Sequence, residues 1–332
     1  MKIKAVVATA KGGPEVLQMR DIELRWPRRP DDVLVELRAA ALNPADVFFR
    51  QLGGYVCGDN PLVLGHDGMG TVKAIGDQVS SVRIGDRVCF CNGGIGDEFG
   101  TYAEAAVVPE WQLACVPDSV DDLTAAALPL VGITCWEALY DRAQVRAGEF
   151  VLIHGGAGGT GHIAIQLAAL RGGRVATTVS TSQKAALVNE LGAELAIRYR
   201  EQDFVEAALG WSRGVNVAFD NAGAQVMQRT FRAMSEYGRV VTLMGTPGDD
   251  ADSTAYNLNL SIMNVMMLTP MWKGLQSRLM EQVAIVRQVL ALVAQGRLKI
   301  QHAATFPLAQ AGDAHAFLET GQAIGKVTLQ IA

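Results

Sequence analysis

Val151-Leu152-Ile153-His154-Gly155-Gly156-Ala157-Gly158-Gly159-Thr160-Gly161-His162-Ile163-Ala164-Ile165-Gln166-Leu167 decides the fold. An apolar run of strand length leads into a glycine-rich turn, and Ile163, Leu167 and Leu170 follow at helical spacing. Glycines at 156, 158 and 161 form G-x-G-x-x-G between a strand and a helix, the context that marks a dinucleotide fingerprint. Gly156 permits the tight turn, Gly158 lets backbone approach a pyrophosphate, and Gly161 allows helix and strand to pack closely. Gly159 and Thr160 complete the loop, where a helix N-terminus offers free N–H groups to phosphate.

Downstream, strands read at Val151–Ile153, Arg174–Val179, Leu195–Arg198, Val215–Asp220, Arg239–Met244 and Asn264–Thr269, with helical segments between them. Six strands with helical crossovers predict an α/β doubly wound parallel sheet, a Rossmann fold. Upstream, residues 1 to about 120 carry short alternating strands with Gly/Asp turns, as at Val33–Ala39, Gly68–Gly76, Arg87–Phe90 and Thr101–Val108, and read as a β-rich, barrel-like domain. After a long helix near Leu275–Gln295, the tail returns to strands at Ile300–Phe306 and Lys326–Ile331. The expected division is a β-rich domain over 1–124, a nucleotide domain over 125–265, and a return segment over 266–332 that completes the first domain.

The 332 residues carry 29 Lys+Arg against 34 Asp+Glu, a net charge of −5 without a basic run, so nucleic acid is not an expected partner. No apolar run approaches the roughly 18 residues of a membrane span. The opening Met1–Ala8 is too short for a secretion-signal core and reads as a first strand. Five cysteines, at 57, 89, 91, 115 and 135, give no paired framework, and reduced thiols in a cytoplasmic protein are expected.

The second nucleotide-domain strand indicates which dinucleotide. An NAD site places Asp or Glu there, about 20 residues past the glycines, to hold the ribose 2′-hydroxyl. Here Ala176-Thr177-Thr178-Val179-Ser180-Thr181-Ser182-Gln183-Lys184 contains no acid. Ser180 and Lys184 suit a 2′-phosphate, with Tyr199 closing over the same pocket, and the expected cofactor is NADPH.

Several further segments carry a family resemblance. They are Ala39-Ala40-Ala41-Leu42-Asn43-Pro44-Ala45-Asp46, Leu64-Gly65-His66-Asp67-Gly68-Met69-Gly70-Thr71-Val72, Val82-Arg83-Ile84-Gly85-Asp86-Arg87-Val88, Phe219-Asp220-Asn221-Ala222-Gly223 and Gly325-Lys326-Val327-Thr328-Leu329. With the glycine-rich loop, they make the chain resemble the medium-chain dehydrogenase/reductases, and within them the zinc-free, zeta-crystallin-like quinone oxidoreductases. The resemblance implies a GroES-like catalytic domain built from both chain ends around an inserted Rossmann domain.

Zinc-dependent members of that family hold a catalytic metal with Cys, His and Cys. The two Cys positions read Asn43 and Val131 here, and only His66 matches, so no metal is expected. His66 then reads either as a hydrogen-bonded histidine of the site floor or as a proton donor. By the same resemblance, Asn43 lies near the nicotinamide, Thr134 approaches its ribose or carboxamide, and Asn221, Gly245 and Gly325 touch the cofactor. Arg50 and Tyr55 are expected to line the cleft, Tyr55 meeting the substrate oxygen, with Asp46 orienting Arg50 or Asn43. Met263, Met266, Met267, Met271 and Trp272 suggest a core or subunit interface, and the family implies a homodimer.

Without a metal, a ketone's alkoxide lacks a Lewis acid, whereas a quinone or enone spreads the incoming charge by conjugation. The sequence therefore points to an NADPH-dependent, zinc-independent reductase of quinones or α,β-unsaturated carbonyls. A zinc-type alcohol dehydrogenase with unusual ligands and a low-turnover NADPH-binding regulatory protein are the alternatives.

Overall fold

The structure, a computed structural model, describes residues 1–53, 62–92, 100–245 and 253–332. Its first part runs β1 (Lys2–Ala8), β2 (Leu17–Glu23), β3 (Asp32–Ala41), α1 (Pro44–Leu52), β4 (Leu62–Val63), β5 (Asp67–Ile75), β6 (Arg87–Cys91), β7 (Ala105–Pro109), β8 (Ala114–Cys115), α2 (Asp122–Ala127) and α3 (Pro129–Trp136). There follow β9 (Phe150–Ile153), α4 (Gly161–Leu170), β10 (Arg174–Val179), α5 (Ser182–Glu190), β11 (Leu195–Arg198), α6 (Phe204–Ser212), β12 (Val215–Asp220), α7 (Ala224–Phe231), β13 (Met234–Thr242), α8 (Thr254–Asn257) and β14 (Ser261–Asn264). The chain closes with α9 (Thr269–Trp272), α10 (Gln276–Ala294), β15 (His302–Pro307), α11 (Ala311–Glu319) and β16 (Lys326–Gln330).

Two compact units result: Met1–Ile133 with Leu268–Ala332, and Thr134–Met267. The sequence alone suggests divisions at 124/125 and 265/266. The structure places α2 wholly in the first unit, because it packs on β3 and β5.

In the first unit, β3 is the central strand. It pairs antiparallel with β5, β7 and β16, and its inward residues Val33, Val35 and Leu37 meet Val72, Val88 and Phe90 in one apolar cluster. The strand's alternation predicts this face, and burying each such side chain contributes roughly 1.5–3 kcal/mol. Sheet order is β15-β16-β3-β5-β6-β8, with a separate three-stranded sheet β2-β1-β4. The return segment joins the first unit's sheet through β16.

Register sets the polar site. Ala41 pairs with Asp67 on β5 and with Thr328 on β16. Continuing the β16 ladder by two residues puts Asn43, just before α1, opposite Lys326, while Asp67 lies diagonally across from it on β5.

The second unit holds a parallel sheet in the order β11-β10-β9-β12-β13-β14. Chain direction of crossover reverses at β9, so the ends of β9, β10 and β12 open on the topological switch point where such sheets take ligands. Two expected strands shift. Tyr237, in the left-handed region at φ 57°, and Gly238 make the sequence look broken before 239, yet β13 runs Met234–Thr242 through that irregularity. The last strand is Ser261–Asn264, not Asn264–Thr269, because Pro270 opens the short helix α9.

Candidate active site

The second unit supplies a phosphate cradle between β9 and α4. A Cβ on Gly156 would collide with the Thr177 side chain, and one on Gly161 would collide with the Gly155 carbonyl. Both glycines are thus demanded by the chain's own packing. Gly158 is different: a Cβ there would meet only the Gly155 oxygen, at 3.4 Å. Its bareness leaves room for something other than protein.

Beneath the loop, His154 is fully buried and its hydrogens are assigned by its partners. Thr178 Oγ1 accepts from the Gly155 N–H (3.0 Å), so its own hydrogen goes to His154 Nδ1 (3.2 Å). Thr230 Oγ1 donates to the Val226 carbonyl (2.8 Å), leaving His154 Nε2–H to donate to Thr230 (2.8 Å). The ring is neutral, and burial pushes its pKa down to about 4.

The remaining expected cofactor residues of this unit cluster at strand ends. Ser180 follows β10, and the Thr181 hydroxyl caps α5 by accepting from the Lys184 N–H (3.3 Å). Tyr199 donates its backbone N–H to the Val179 carbonyl (3.1 Å), which sets it beside Ser180, half-exposed. Asn221, after β12, lies over the Gly155 turn, and Gly245, at φ 89°, follows β13 with open space around it. Thr134, the first residue of the unit, is buried on α3.

The first unit holds a buried polar cluster. Asn43 Nδ2 donates to Asp67 Oδ2 (2.9 Å), and Lys326 Nζ donates to Asn43 Oδ1 (2.6 Å). Lys326 Nζ also lies 3.7 Å from Asp67 Oδ2, whose other oxygen accepts the Leu130 N–H (2.8 Å). Burial raises the Asp67 pKa, against the opposing pull of Lys326 and Asn43, and burial lowers that of Lys326. The Cys91 thiol sits beside Asp67, and burial pushes it well up, so it is a protonated thiol.

Asp46 joins the cluster from the first turn of α1. It accepts the Asn43 N–H (2.8 Å), a helix-capping bond, and pairs with His66 Nδ1 at 2.6 Å. Burial works against its charge, but His66 and the Asn43 N–H outweigh it and hold the carboxyl below its usual range. His66 stacks on Phe49, ring centroids 5.3 Å apart, and its buried Nε2 has no hydrogen-bond partner among the described residues.

Arg50 departs from the sequence expectation, which has it lining a cleft with Asp46 orienting it. It is fully buried and donates instead to the Gly12 carbonyl (3.1 Å), His315 Nδ1 (3.2 Å) and Glu319 Oε1 (2.8 Å). A helical register of four residues from Asp46 puts it one turn deeper, against α11. Tyr55 and Cys57 lie outside the described residues. Gly325, at φ 90°, is required by its neighbour: a Cβ there would collide with the Gln301 carbonyl. Sequence reasoning misses Lys326, Tyr102 and His315. Lys326 has a signal, a lysine in a strand whose neighbours Val327 and Leu329 are apolar.

Asn43, Asp67 and Val131 offer no free metal ligand. Both ends of the Asn43 side chain and both Asp67 oxygens are engaged, Val131 has no donor atom, and the Lys326 ammonium already supplies the cluster's positive charge. Among the described residues no group of three His, Cys, Asp or Glu is set to hold a metal ion.

Comparison with known proteins agrees with this architecture. Residues 29–118 match the alcohol dehydrogenase GroES-like domain, and residues 191–329 match a family described as zinc-binding dehydrogenase. A quinone oxidoreductase of Pseudomonas aeruginosa is 32% identical over 98% of this chain and 99% of its own length. The chain belongs to the quinone oxidoreductase family of the medium-chain dehydrogenase/reductases. An NADPH-dependent alkenal/one oxidoreductase of Arabidopsis thaliana is 31% identical over 99% of the chain and 79% of its own length. Among solved structures, the Escherichia coli quinone oxidoreductase complexed with NADPH superposes with a TM-score of 0.85 at 27% identity, covering 99% of each chain. These matches establish the family that the sequence motifs resemble, together with its Rossmann and GroES-like folds.

Proposed function

We propose that this quinone oxidoreductase family member transfers hydride from NADPH to a quinone or an α,β-unsaturated carbonyl, without a catalytic metal. The first part of the reading rests on the cradle. Gly158 is bare where the chain does not require it, α4 opens at Gly161 just after it, and Ser180–Lys184 after β10 include no acid to reject a 2′-phosphate. Gly156, Gly158, Gly159, Thr160 and Gly161 would hold the pyrophosphate, Ser180, Lys184 and Tyr199 the 2′-phosphate, and Asn221, Gly245 and Thr134 the rest of the nicotinamide half. When bound, NADPH supplies the hydride.

The observation that carries the choice of acceptor is the closed ring of Asn43, Asp67 and Lys326. With its donors spent on one another, the cluster lacks a Lewis acid's ligand set, and the acceptor must delocalise the incoming charge itself. Asn43 and Gly325 are assigned to the cofactor, and Asp46 to holding Asn43 and His66. The NADPH complex of the E. coli relative and the alkenal/one activity named for the Arabidopsis one support both halves.

NADPH consumption with a quinone, an enone and a simple aldehyde, each with NADH and with chelator, tests this. Turnover of the conjugated acceptors, unchanged by chelator, is expected. Lys184→Ala should lower kcat/KM for NADPH about tenfold and leave NADH unchanged, since one charge-assisted contact to phosphate contributes roughly 1.5–3 kcal/mol. Turnover confined to the aldehyde and lost with chelator would overturn the metal-free reading.

A further inference from the structure

Within the second unit, α4 is buried from Gly161 to Ala168, and over that stretch His162 and Gln166 are the polar side chains in an otherwise apolar face. Burying a polar side chain costs free energy unless it finds a partner. Each of these two reaches back four residues along the chain. His162 Nδ1 lies 2.9 Å from the Gly158 carbonyl oxygen. A carbonyl can only accept, so Nδ1 carries a hydrogen and donates it. Gln166 Nε2 donates to the His162 carbonyl (2.9 Å). Gly158, His162 and Gln166 thus follow one another at helical spacing, each holding the one before it.

The consequence falls on the loop before the helix. The peptide that joins Gly158 to Gly159 has a glycine on either side, so it can turn over at little steric cost. Turning it over would exchange the places of the Gly158 oxygen and the Gly159 N–H, because the two point opposite ways from a trans peptide. An oxygen facing a phosphate repels it, whereas an N–H attracts it. His162 decides which of the two faces out. Its ring N–H and its backbone N–H (3.2 Å) both hold the Gly158 oxygen toward α4, which aims the Gly159 N–H away from the helix. Two other carbonyls of the loop are also engaged. That of Gly155 accepts the Gly158 N–H (3.0 Å), and that of Thr160 accepts the Ala164 N–H (3.0 Å) and the Cys135 thiol (3.3 Å). With these three oxygens taken up by the protein, none of them is turned to repel an anion beside the bare Gly158.

We propose that His162 is a positioning residue of the dinucleotide cradle: its Nδ1–H holds the Gly158–Gly159 peptide in the orientation that receives a pyrophosphate, before the cofactor arrives. The proposal rests on the NADPH reading above and extends it to a side chain that meets no ligand atom. Such preorganisation adds no contact. It removes the ordering cost that a free glycine loop would carry into binding. The pyrophosphate is common to both nicotinamide dinucleotides, and the 2′-phosphate is not. His162 therefore acts on the affinity for NADPH and NADH alike, and Lys184 on NADPH alone.

The test measures dissociation constants of NADPH and NADH on the whole chain, from the change in nicotinamide fluorescence with no acceptor present. His162→Leu fills similar space and cannot donate. It is expected to raise both constants about fivefold, the factor for one lost hydrogen bond. His162→Asn puts an amide N–H where Nδ1 stands, and should bind within about twofold of wild type. Lys184→Ala should weaken NADPH alone. In turnover, the His162→Leu loss should appear in KM for either dinucleotide and not in KM for a quinone. A histidine that merely packs α4 would lower the stability of both His162 variants and move neither dissociation constant of the folded chain. Should His162→Leu fail to fold, ¹⁵N NMR of the wild-type chain decides: the His162 Nδ1 hydrogen should be seen, and its exchange with solvent should slow when NADP⁺ is added. A His162→Leu chain within twofold of wild-type affinity, a His162→Asn chain as weak as His162→Leu, or an Nδ1 hydrogen indifferent to NADP⁺ overturns the proposal alone. A wild-type chain that binds neither dinucleotide overturns the cofactor reading, and this proposal with it.

Discussion

A single lysine shows how the buried cluster is held. Lys326 is 2% exposed, and its partners Asn43 and Asp67 are wholly buried. Lys326→Met removes one charge and leaves Asp67 facing an apolar side chain, so it should cost about 3–5 kcal/mol of unfolding free energy. Adding Asp67→Asn removes the stranded charge, and the double variant should recover more than half of that loss in urea titrations. A double variant as unstable as the single one would mean that Lys326 packs rather than pairs. At this scale the site is only partly legible in the sequence. Asn43, Asp46 and His66 are visible because they stand in one short segment and one motif. Tyr102 and His315 are not, because their contact spans 213 residues and joins a loop before β7 to α11. Arg50 misleads because its spacing from Asp46 along α1 reads equally as a cleft residue or a buried one, and only the packing of α11 decides.

Among the elements, the β9–α4 unit depends on a neutral histidine. His154 has a folded pKa of about 4 against an ordinary value of 6.5, and His315 behind α1 the same. Since the folded values are depressed, the unfolded chain binds protons first as pH falls. The stabilisation is complete above about pH 6.5 and is lost progressively toward pH 4. Each ring should cost about 2 kcal/mol between pH 7 and pH 5. Protonating His154 also takes the lone pair that accepts from Thr178, whose oxygen holds the Gly155 N–H, so the cradle should loosen in the same range. Urea titrations of wild type and His154→Asn at both pH values check this, and equal pH sensitivity in the two would refute it. The elements themselves are largely legible. β10 and β12 fall where their runs of mostly apolar and β-branched residues place them, because a strand buried on both faces carries few charged residues. β14 is displaced because Val265–Leu268 is just such a run, yet it leaves the sheet and leads into α9 at Pro270.

At the scale of the molecule, the second unit's sheet ends in β14, which pairs with β13 on one side only among the described residues. An unpaired edge strand is a template for another chain unless charge, proline or a covering segment blunts it. β14 reads Ser261-Ile262-Met263-Asn264, without charge or proline, and Ile262 is 37% exposed with Met266 48% exposed just beyond it. The edge therefore retains the features of a pairing surface, and the expected partner is a second copy of the same strand, antiparallel across a two-fold axis. Sedimentation should give twice the 35.4 kDa chain mass. Joint substitution Ile262→Lys and Met266→Lys places like charges opposite each other across that axis and should yield monomers that still bind NADPH, because the cradle lies at β9, β10 and β12, away from this edge. A wild-type chain that sediments as a monomer at micromolar concentration would sink the pairing, and a doubly substituted dimer would move it to another face.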